Sequence, residues 1–125
     1  MKETRLLARA LAALLWTDVQ LFLLGFSALH ECVKRARVEP RPTGPDVGTI
    51  VRAVDVAAVF YFKPVRCLQR SAAAVLLLRR GGAPAELVIG VQPWPLRAHA
   101  WVELDGTVVN DRAHVVRTFA VLERC

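Results

Sequence analysis

The chain has 125 residues, enough for one domain with a buried core. Apolar residues make up 54% and charged residues 22% of the sequence, a composition that argues against a disordered chain. The formal charge of +6 is spread without any run of Lys and Arg interleaved with aromatic residues, so a nucleic-acid partner is not expected.

The cysteine pattern and the apolar N-terminal region indicate in which cellular compartment the protein works. Cys32, Cys67 and Cys125 form no CxxC pair and show no regular spacing, so neither a disulfide framework nor a zinc site is expected. The start of the sequence lacks a small-residue cleavage site. Polar and charged residues interrupt the most apolar region, residues 6–29, which favours a buried or interfacial helix over a membrane span. We therefore expect a cytoplasmic protein without membrane association.

Helices are predicted for the first half of the chain. Leu and Ala recur at helical spacing over residues 3–37, which predicts one long helix or two shorter helices separated at Gly25. Three prolines and two glycines within residues 39–48 indicate a connector. Asp46 is placed to cap a second helical region, over about residues 47–62.

The second half predicts one more helix and then strands. That helix covers Cys67–Arg80 and ends at a Gly-Gly pair. Extended patterns follow at residues 86–91, 98–103 and 107–111, and residues 115–122 are a candidate for another strand. Helices followed by a small antiparallel sheet predict an α+β fold. We expect a helical segment over residues 1–38, a connector over 39–48 and a core over 49–125, within one compact domain.

Cys67 is the candidate nucleophile because it starts a helix directly after a proline turn. The unpaired N–H groups and the positive dipole at a helix start favour a thiolate, and Arg66 and Arg70 add positive charge nearby. The same N–H groups can hold a tetrahedral oxyanion. Taken alone, Cys67 also fits the role of a small buried apolar residue. Cys32, inside an apolar helix, and Cys125, at the chain end, have weaker claims.

His99 is the candidate general base. It lies inside a predicted strand with alanines on both sides, whereas His30 ends the first helical segment and His114 follows the last clear strand. Taken alone, His99 could also be an ordinary sheet histidine with a satisfied hydrogen bond. The residue that faces it across the hairpin decides between these interpretations.

The loop at residues 104–106 sets that register. A three-residue type I turn with a G1 bulge places Asp111 opposite His99, close enough for the carboxylate to orient the imidazole. A two-residue turn shifts the pairing by one and places Asn110 on the histidine's face instead. We prefer the three-residue loop, because it supplies a nucleophile, a base and an orienting residue from independent signals.

Two stretches resemble the leader peptidases of lasso peptide biosynthesis, which belong to the transglutaminase-like cysteine protease superfamily. The similarity covers about residues 51–111, with C-L-x-R-S at a helix start, A-H-A-W-V-E on a strand and N-D where the hairpin returns. It implies a transglutaminase/papain-like core in which Cys67 is the nucleophile, His99 the general base and acid, and Asp111 the residue that holds the imidazole. The family removes the leader from a ribosomally made precursor, freeing an amine that a separate cyclase joins to a side-chain carboxylate.

The resemblance also implies partners. Many family members carry a fused N-terminal domain that grips the leader, but this sequence predicts only helices there. It therefore resembles the split form, which acts with a separate leader-binding protein, the precursor peptide and the cyclase. ATP has been associated with the pathway, but the GxxxxGK[ST] phosphate loop does not occur in the sequence. We expect no cofactor in this chain and any ATP dependence in the cyclase or the complex.

Two other function classes stay open. Transglutaminases and arylamine acetyltransferases of the same superfamily use a similar Cys-His-Asp set, so another acyl-transfer enzyme is one alternative. A scaffold whose apolar helices hold a peptide-maturation complex together, without catalysis, is the other. The choice of water or an amine as acceptor separates the first alternative from a peptidase.

Overall fold

The N-terminal segment forms two helices rather than one in the computed structural model, which describes residues 2–40 and 45–125. Helix α1 covers Lys2–Val19 and continues as a π-helical turn over Gln20–Leu24, and helix α2 covers Phe26–Arg35. The predicted break at Gly25 is confirmed. Its φ of 88° lies in the left-handed region that only glycine adopts without strain, so the chain can change direction there.

Two further helices follow the connector, of which residues 41–44 lie outside the described part of the chain. Helix α3 covers Val47–Phe60 and starts after Asp46, as predicted, with the Thr49 hydroxyl donating to the Asp46 carboxylate. It ends two residues earlier than the prediction. Helix α4 covers Cys67–Arg80, the predicted range, and ends at Gly81.

The C-terminal half is an antiparallel four-stranded sheet. Strands β1 (Glu86–Gln92), β2 (Arg97–Leu104), β3 (Thr107–Val108) and β4 (Ala120–Arg124) lie in the order β3-β2-β1-β4. The predicted strand at residues 115–122 is wrong in its first half, because a short helix, α5 (Val115–Thr118), precedes β4. Four helices followed by this sheet and α5 confirm the predicted α+β fold.

The β2–β3 turn differs from the preferred prediction. Leu104 pairs with Thr107, so the loop has two residues rather than three. Asp105 and Gly106 have φ values of 52° and 79°, as in a type I′ turn, whose twist matches that of the flanking strands. Aspartate tolerates the left-handed conformation that this turn needs at its first position, and therefore no bulge is required.

Helix α4 is the centre of the core. One side packs on α1 and α3, and the other packs on β2. The fully buried side chains include Leu14, Leu29, Leu78, Leu87 and Val102, contributed by α1, α2, α4, β1 and β2. A helix that is buried on most of its surface has a nearly invariant position relative to its neighbours, so α4 is held in a fixed position against β2.

Helix α1 has one buried face and one exposed face. Leu6, Ala10 and Leu14 are buried, and α1 packs against α3 and α4. The segment Thr4–Leu24 is long and apolar enough to cross a membrane by length and composition alone. Only 28% of its most apolar window is buried within the chain, so a large part of this apolar surface faces outward.

Candidate active site

Cys67 is the first residue of α4 and is half-buried. The preceding residue, Arg66, has an extended backbone and accepts the first helical hydrogen bond, from the Arg70 N–H at 3.0 Å. No side chain caps this helix start. The N–H groups of the first turn therefore stay available beside the sulfur, where they favour a thiolate and can bind a developing oxyanion.

Polar contacts hold the chain that leads into Cys67. Asp18, near the end of α1, accepts a hydrogen bond of 2.8 Å from the Tyr61 hydroxyl and forms an ion pair of 2.8 Å with Lys63. Burial and the Asp18 carboxylate raise the pKa of Tyr61 to about 12, so its hydroxyl stays protonated and donates. Within α4, the Gln69 amide donates to the Leu14 carbonyl at 2.9 Å. The start of α4 is thus tied to α1.

His99 and Asp111 are hydrogen bonded through Nε2 and Oδ2 at 2.5 Å, and their side chains are 24% and 20% exposed. The second carboxylate oxygen of Asp111 accepts the Arg112 N–H at 2.7 Å. Burial acts to raise the pKa of Asp111, but the hydrogen bonds from His99 and Arg112 and the nearby Arg70 outweigh it and hold the pKa below its ordinary value. Asp111 is therefore a carboxylate at neutral pH.

The predicted contact between Asp111 and His99 is present, although the register that predicted it is wrong. The chain leaves the ladder after Val109, whose N–H donates to the Val102 carbonyl at 3.0 Å. The Asn110 side chain then takes the place of a strand residue, because its Oδ1 accepts the Val102 N–H at 2.7 Å. This departure from the ladder turns the next residue, Asp111, toward His99. Asn110 itself is not hydrogen bonded to the histidine.

A polar relay joins α4 to β2 beside the histidine. The Asn110 amide donates to Ser71 Oγ at 2.9 Å, and that hydroxyl lies 3.2 Å from the Ala100 carbonyl, to which it donates. Ser71 is four residues after Cys67, so the two side chains lie on the same face of α4. Ala100 directly follows His99 in β2. The relay therefore holds the face of α4 that carries Cys67 against the segment of β2 that carries His99.

Cys67 and His99 open into one cleft of about 330 Å³. Most of the other lining residues are apolar: Leu21, Phe26, Leu68, Ile89, Ala98 and Ala100, with Arg66 the exception. Such a cleft is the common setting for a small number of reactive groups. Its low polarity strengthens charge interactions with any bound carbonyl.

Aromatic side chains support the histidine ring. His99 stacks on Phe119 and Trp101, with ring centroids 5.3 Å and 6.0 Å away. Gly90, which pairs with His99 across β1 and β2, makes room for them, since a Cβ there would lie 2.7 Å from Trp101 and 2.8 Å from Phe119. The buried Glu103 carboxylate accepts the Trp101 indole N–H at 2.8 Å and pairs with Arg124 at 2.5 Å.

These supporting residues were not predicted. A glycine inside a strand, such as Gly90, signals close approach by another group, and that signal is present in the sequence. The roles of Asn110, Phe119 and Glu103 depend on contacts between distant elements, for which the sequence carries no local signal.

A charged pair flanks Asp111 on the side of α3. Arg70 Nε lies 3.8 Å from Asp55 Oδ1. Burial raises the pKa of Asp55, the Asp111 charge adds to the rise, and Arg70 opposes it. The positive charge predicted for Arg70 thus acts on the two carboxylates, and so helps Asp111 to remain ionised beside His99.

The other cysteines and histidines lie outside this cleft. Cys32 lines a separate cleft. Cys125 is held in the sheet by two backbone hydrogen bonds with Leu87, of 2.9 Å and 3.0 Å. Burial raises the pKa of the Cys125 thiol, which disfavours its thiolate. His30 lies 3.6 Å from Glu123.

No cluster of three or more His, Cys, Asp or Glu side chains suited to a metal ion occurs within residues 2–40 and 45–125. The side chains in and beside the cleft provide a thiol from Cys67, an imidazole from His99 and a carboxylate from Asp111. This set can carry out acyl transfer by nucleophilic attack of the thiol, with the imidazole moving the proton. The roles of Cys67, His99 and Asp111 in such a reaction remain predictions.

Two comparisons show which known proteins this chain is similar to. Over 56 residues the chain is 38% identical to the microcin J25-processing protein McjB of Escherichia coli. The matched region covers 45% of this chain and 27% of that protein. The chain thus spans about a quarter of the length of this curated relative. No solved structure matches the chain significantly. The model of the transglutaminase-like superfamily matches residues 7–124, which is nearly the whole sequence, and the chain therefore belongs to that superfamily.

Proposed function

We propose that this protein is a cysteine peptidase that removes the leader from a ribosomally made lasso peptide precursor. The observation that carries the proposal is the shared cleft of Cys67 and His99, with Asp111 hydrogen bonded to Nε2 of the imidazole. The superfamily supports thiol-based acyl transfer. The similarity to a protein named for processing microcin J25 supports a peptide precursor as the substrate.

The geometry suits a two-step reaction. Because Nε2 of His99 is engaged by Asp111, Nδ1 is the nitrogen left to take the thiol proton. The Cys67 thiolate attacks the scissile carbonyl, the first-turn N–H groups of α4 hold the oxyanion, and His99 returns the proton to the departing amine. Water then attacks the thioester with His99 as the base, and Cys67 is restored with its proton.

The apolar walls of the cleft bear on which peptide substrates the protein accepts. Its apolar walls, which include Leu21 and Phe26, suit uncharged side chains next to the scissile bond. A thiol nucleophile is kept reduced in the cytoplasm, and we propose that compartment for the reaction. We expect no cofactor in this chain, and the partners are a leader-binding protein, the precursor and a cyclase.

The isolated chain is expected to be a slow enzyme, and a separate leader-binding protein is expected to accelerate it. Such a protein raises the local concentration of the precursor around the cleft, an effect that needs no new contact at the reacting atoms. Single-turnover cleavage of the precursor, with and without that protein, checks this by mass spectrometry of the products. A matched reaction uses a leader-binding protein that cannot bind the precursor. Equal rates in all three reactions contradict the expectation.

The masses of the same products distinguish a peptidase from the two alternatives, another acyl-transfer enzyme and a scaffold. A peptidase yields the leader with a free carboxylate, whereas an acyl-transfer enzyme of the superfamily yields the leader joined to an added amine. A scaffold yields neither product from this chain. Supplying a primary amine beside water therefore shows by mass whether hydrolysis or amide formation dominates.

A further inference from the structure

A second cleft lies away from Cys67 and has a different chemistry. Its volume is about 790 Å³, and it is bounded by α1, α2, the residues after α2 and the C-terminal end of α4. Four arginines, Arg9, Arg35, Arg37 and Arg80, line it. We call it the basic cleft. The proposed peptidase reaction uses none of these residues.

The lining of the basic cleft combines charge with apolar surface. Among the described residues, four arginines but only one acidic residue, Glu39, line the cleft. One of the four, Arg35, also lies 3.5 Å from Glu31, the residue four positions earlier in α2. Trp16 is 51% exposed, and alanines and Leu76 complete the walls. Guanidinium groups bind carboxylates in a bidentate way, and a half-exposed Trp is a common anchor for an apolar side chain. The cleft thus suits an acidic segment that carries an apolar residue.

The two clefts lie at opposite ends of one helix. Cys67 is the first residue of α4 and Arg80 is the last, so a helix of 14 residues separates them by about 20 Å at ~1.5 Å per residue. An extended peptide covers about 3.5 Å per residue. A substrate whose scissile bond lies at Cys67 can therefore place a residue beside Arg80 only if that residue is at least about six positions from the bond.

We propose that the basic cleft binds an acidic segment of the peptide substrate, with the residue beside Arg80 at least about six positions from the scissile bond. This inference rests on the proposed function, because it takes the occupant to be the substrate. A peptide suits the lining better than a nucleic acid does, since the cleft offers a single aromatic side chain and apolar walls instead of a series of stacking platforms.

The first test measures binding without cleavage. A fluorescein-labelled, glutamate-rich peptide with two leucines is titrated against Cys67→Ala, alongside the same peptide with glutamine in place of glutamate. In the Cys67→Ala background, we expect the pair Arg9→Gln and Arg80→Gln to raise the Kd of the acidic peptide about tenfold or more. We also expect the glutamine peptide to bind Cys67→Ala at least about tenfold more weakly than the acidic peptide does. Arg52→Gln with Arg117→Gln removes the same charge at exposed positions of α3 and α5, and a change below about twofold is expected.

A native reporter locates the bound peptide. Cys32 lines the basic cleft, so in the double variant Cys67→Ala with Cys125→Ala the acidic peptide should slow the alkylation of Cys32. Equal binding of the acidic and glutamine peptides, an equal loss in both arginine pairs, or unchanged alkylation would overturn the proposal. Displacement of the peptide by a single-stranded oligonucleotide at lower concentration than by unlabelled peptide would assign the cleft to nucleic acid and overturn it as well.

The second test separates this inference from the proposed function. With a precursor that the wild-type chain cleaves, we expect Arg9→Gln with Arg80→Gln to raise KM and leave kcat unchanged, because neither residue touches the reacting atoms. Neutralising the acidic residues of the precursor should raise KM for the wild type to a similar extent. Cleavage that is indifferent to both changes overturns the basic cleft as a substrate site and leaves the peptidase intact. Failure of the wild type to cleave any precursor even with its leader-binding protein present overturns the peptidase itself.

Discussion

Cys67→Ala is expected to abolish cleavage of the precursor while leaving the fold and the binding of partners intact. Cys67 is the thiol that shares a cleft with His99 and lies at an uncapped helix start, and no other side chain of that cleft can form a thioester. Alanine is a good helix former, so α4 should persist. Single-turnover product formation, followed by mass spectrometry, measures the loss.

Cys32→Ala and Cys125→Ala are the matched controls for that experiment. Both remove a half-buried thiol outside the cleft, and both should retain most of the activity. Circular dichroism of the three variants shows whether the fold is kept. Near wild-type cleavage by Cys67→Ala would rule out the cysteine-peptidase proposal.

Asp111→Asn is expected to slow cleavage by a large factor with the fold preserved. The carboxylate accepts a hydrogen bond of 2.5 Å from Nε2 of His99. This bond keeps Nδ1 free to act as the base and stabilises the imidazolium that forms. An amide of the same shape can donate to Nε2 and favours the wrong tautomer. An analogous change in a serine-protease triad costs about 10⁴-fold in kcat, and we expect an effect of similar order in the single-turnover rate.

Asp105→Asn provides the same chemical change away from the site. Asp105 lies in the exposed β2–β3 turn with a positive φ of 52°, a conformation that asparagine also adopts readily. Its rate should stay close to that of the wild type. A loss in Asp111→Asn no larger than the loss in Asp105→Asn would remove Asp111 from the mechanism.

The sequence predicted the elements that carry the reactive groups, because local signals mark them. A proline turn followed by a helical pattern placed Cys67 at the start of α4, and an alternating pattern placed His99 within a strand. The preferred turn was wrong, since a three-residue and a two-residue loop are both compatible with Leu104-Asp105-Gly106. Asp-Gly is a preferred pair for the two-residue type I′ turn, but the prediction gave more weight to the pairing that placed Asp111 opposite His99.

The contact between Asp111 and His99 was predicted for a reason that does not hold. Strand pairing does not bring them together; the departure of Asn110 from the ladder does, through hydrogen bonds to Val102 and Ser71. Ser71 is 39 residues away from Asn110, and no periodicity in the sequence links the two. Aromatic support from Phe119 was missed for the same reason, because α5 and β4 bring that ring to the histidine.

The structure links the stability of the core to the geometry of the site. The relay from Asn110 through Ser71 to Ala100 connects the loop that carries Asp111, the helix that carries Cys67 and the strand that carries His99. The helix and the strand belong to the packed core, and the relay ties the loop to them, so the relative positions of the three elements change little on the time average. Preorganisation of this kind lets oriented groups act without rearrangement during the reaction.

The most direct test of the proposed mechanism is the mass of the enzyme during a single turnover. Wild-type chain is mixed with the precursor and its leader-binding protein, quenched in acid at short times, and the intact mass is measured, followed by fragmentation to locate any adduct. The mechanism predicts a transient gain equal to the leader acyl group, attached to Cys67 and lost as the free leader appears. Cleavage that proceeds with no such adduct under conditions that trap thioesters, or with the adduct on Cys32 or Cys125, would contradict it.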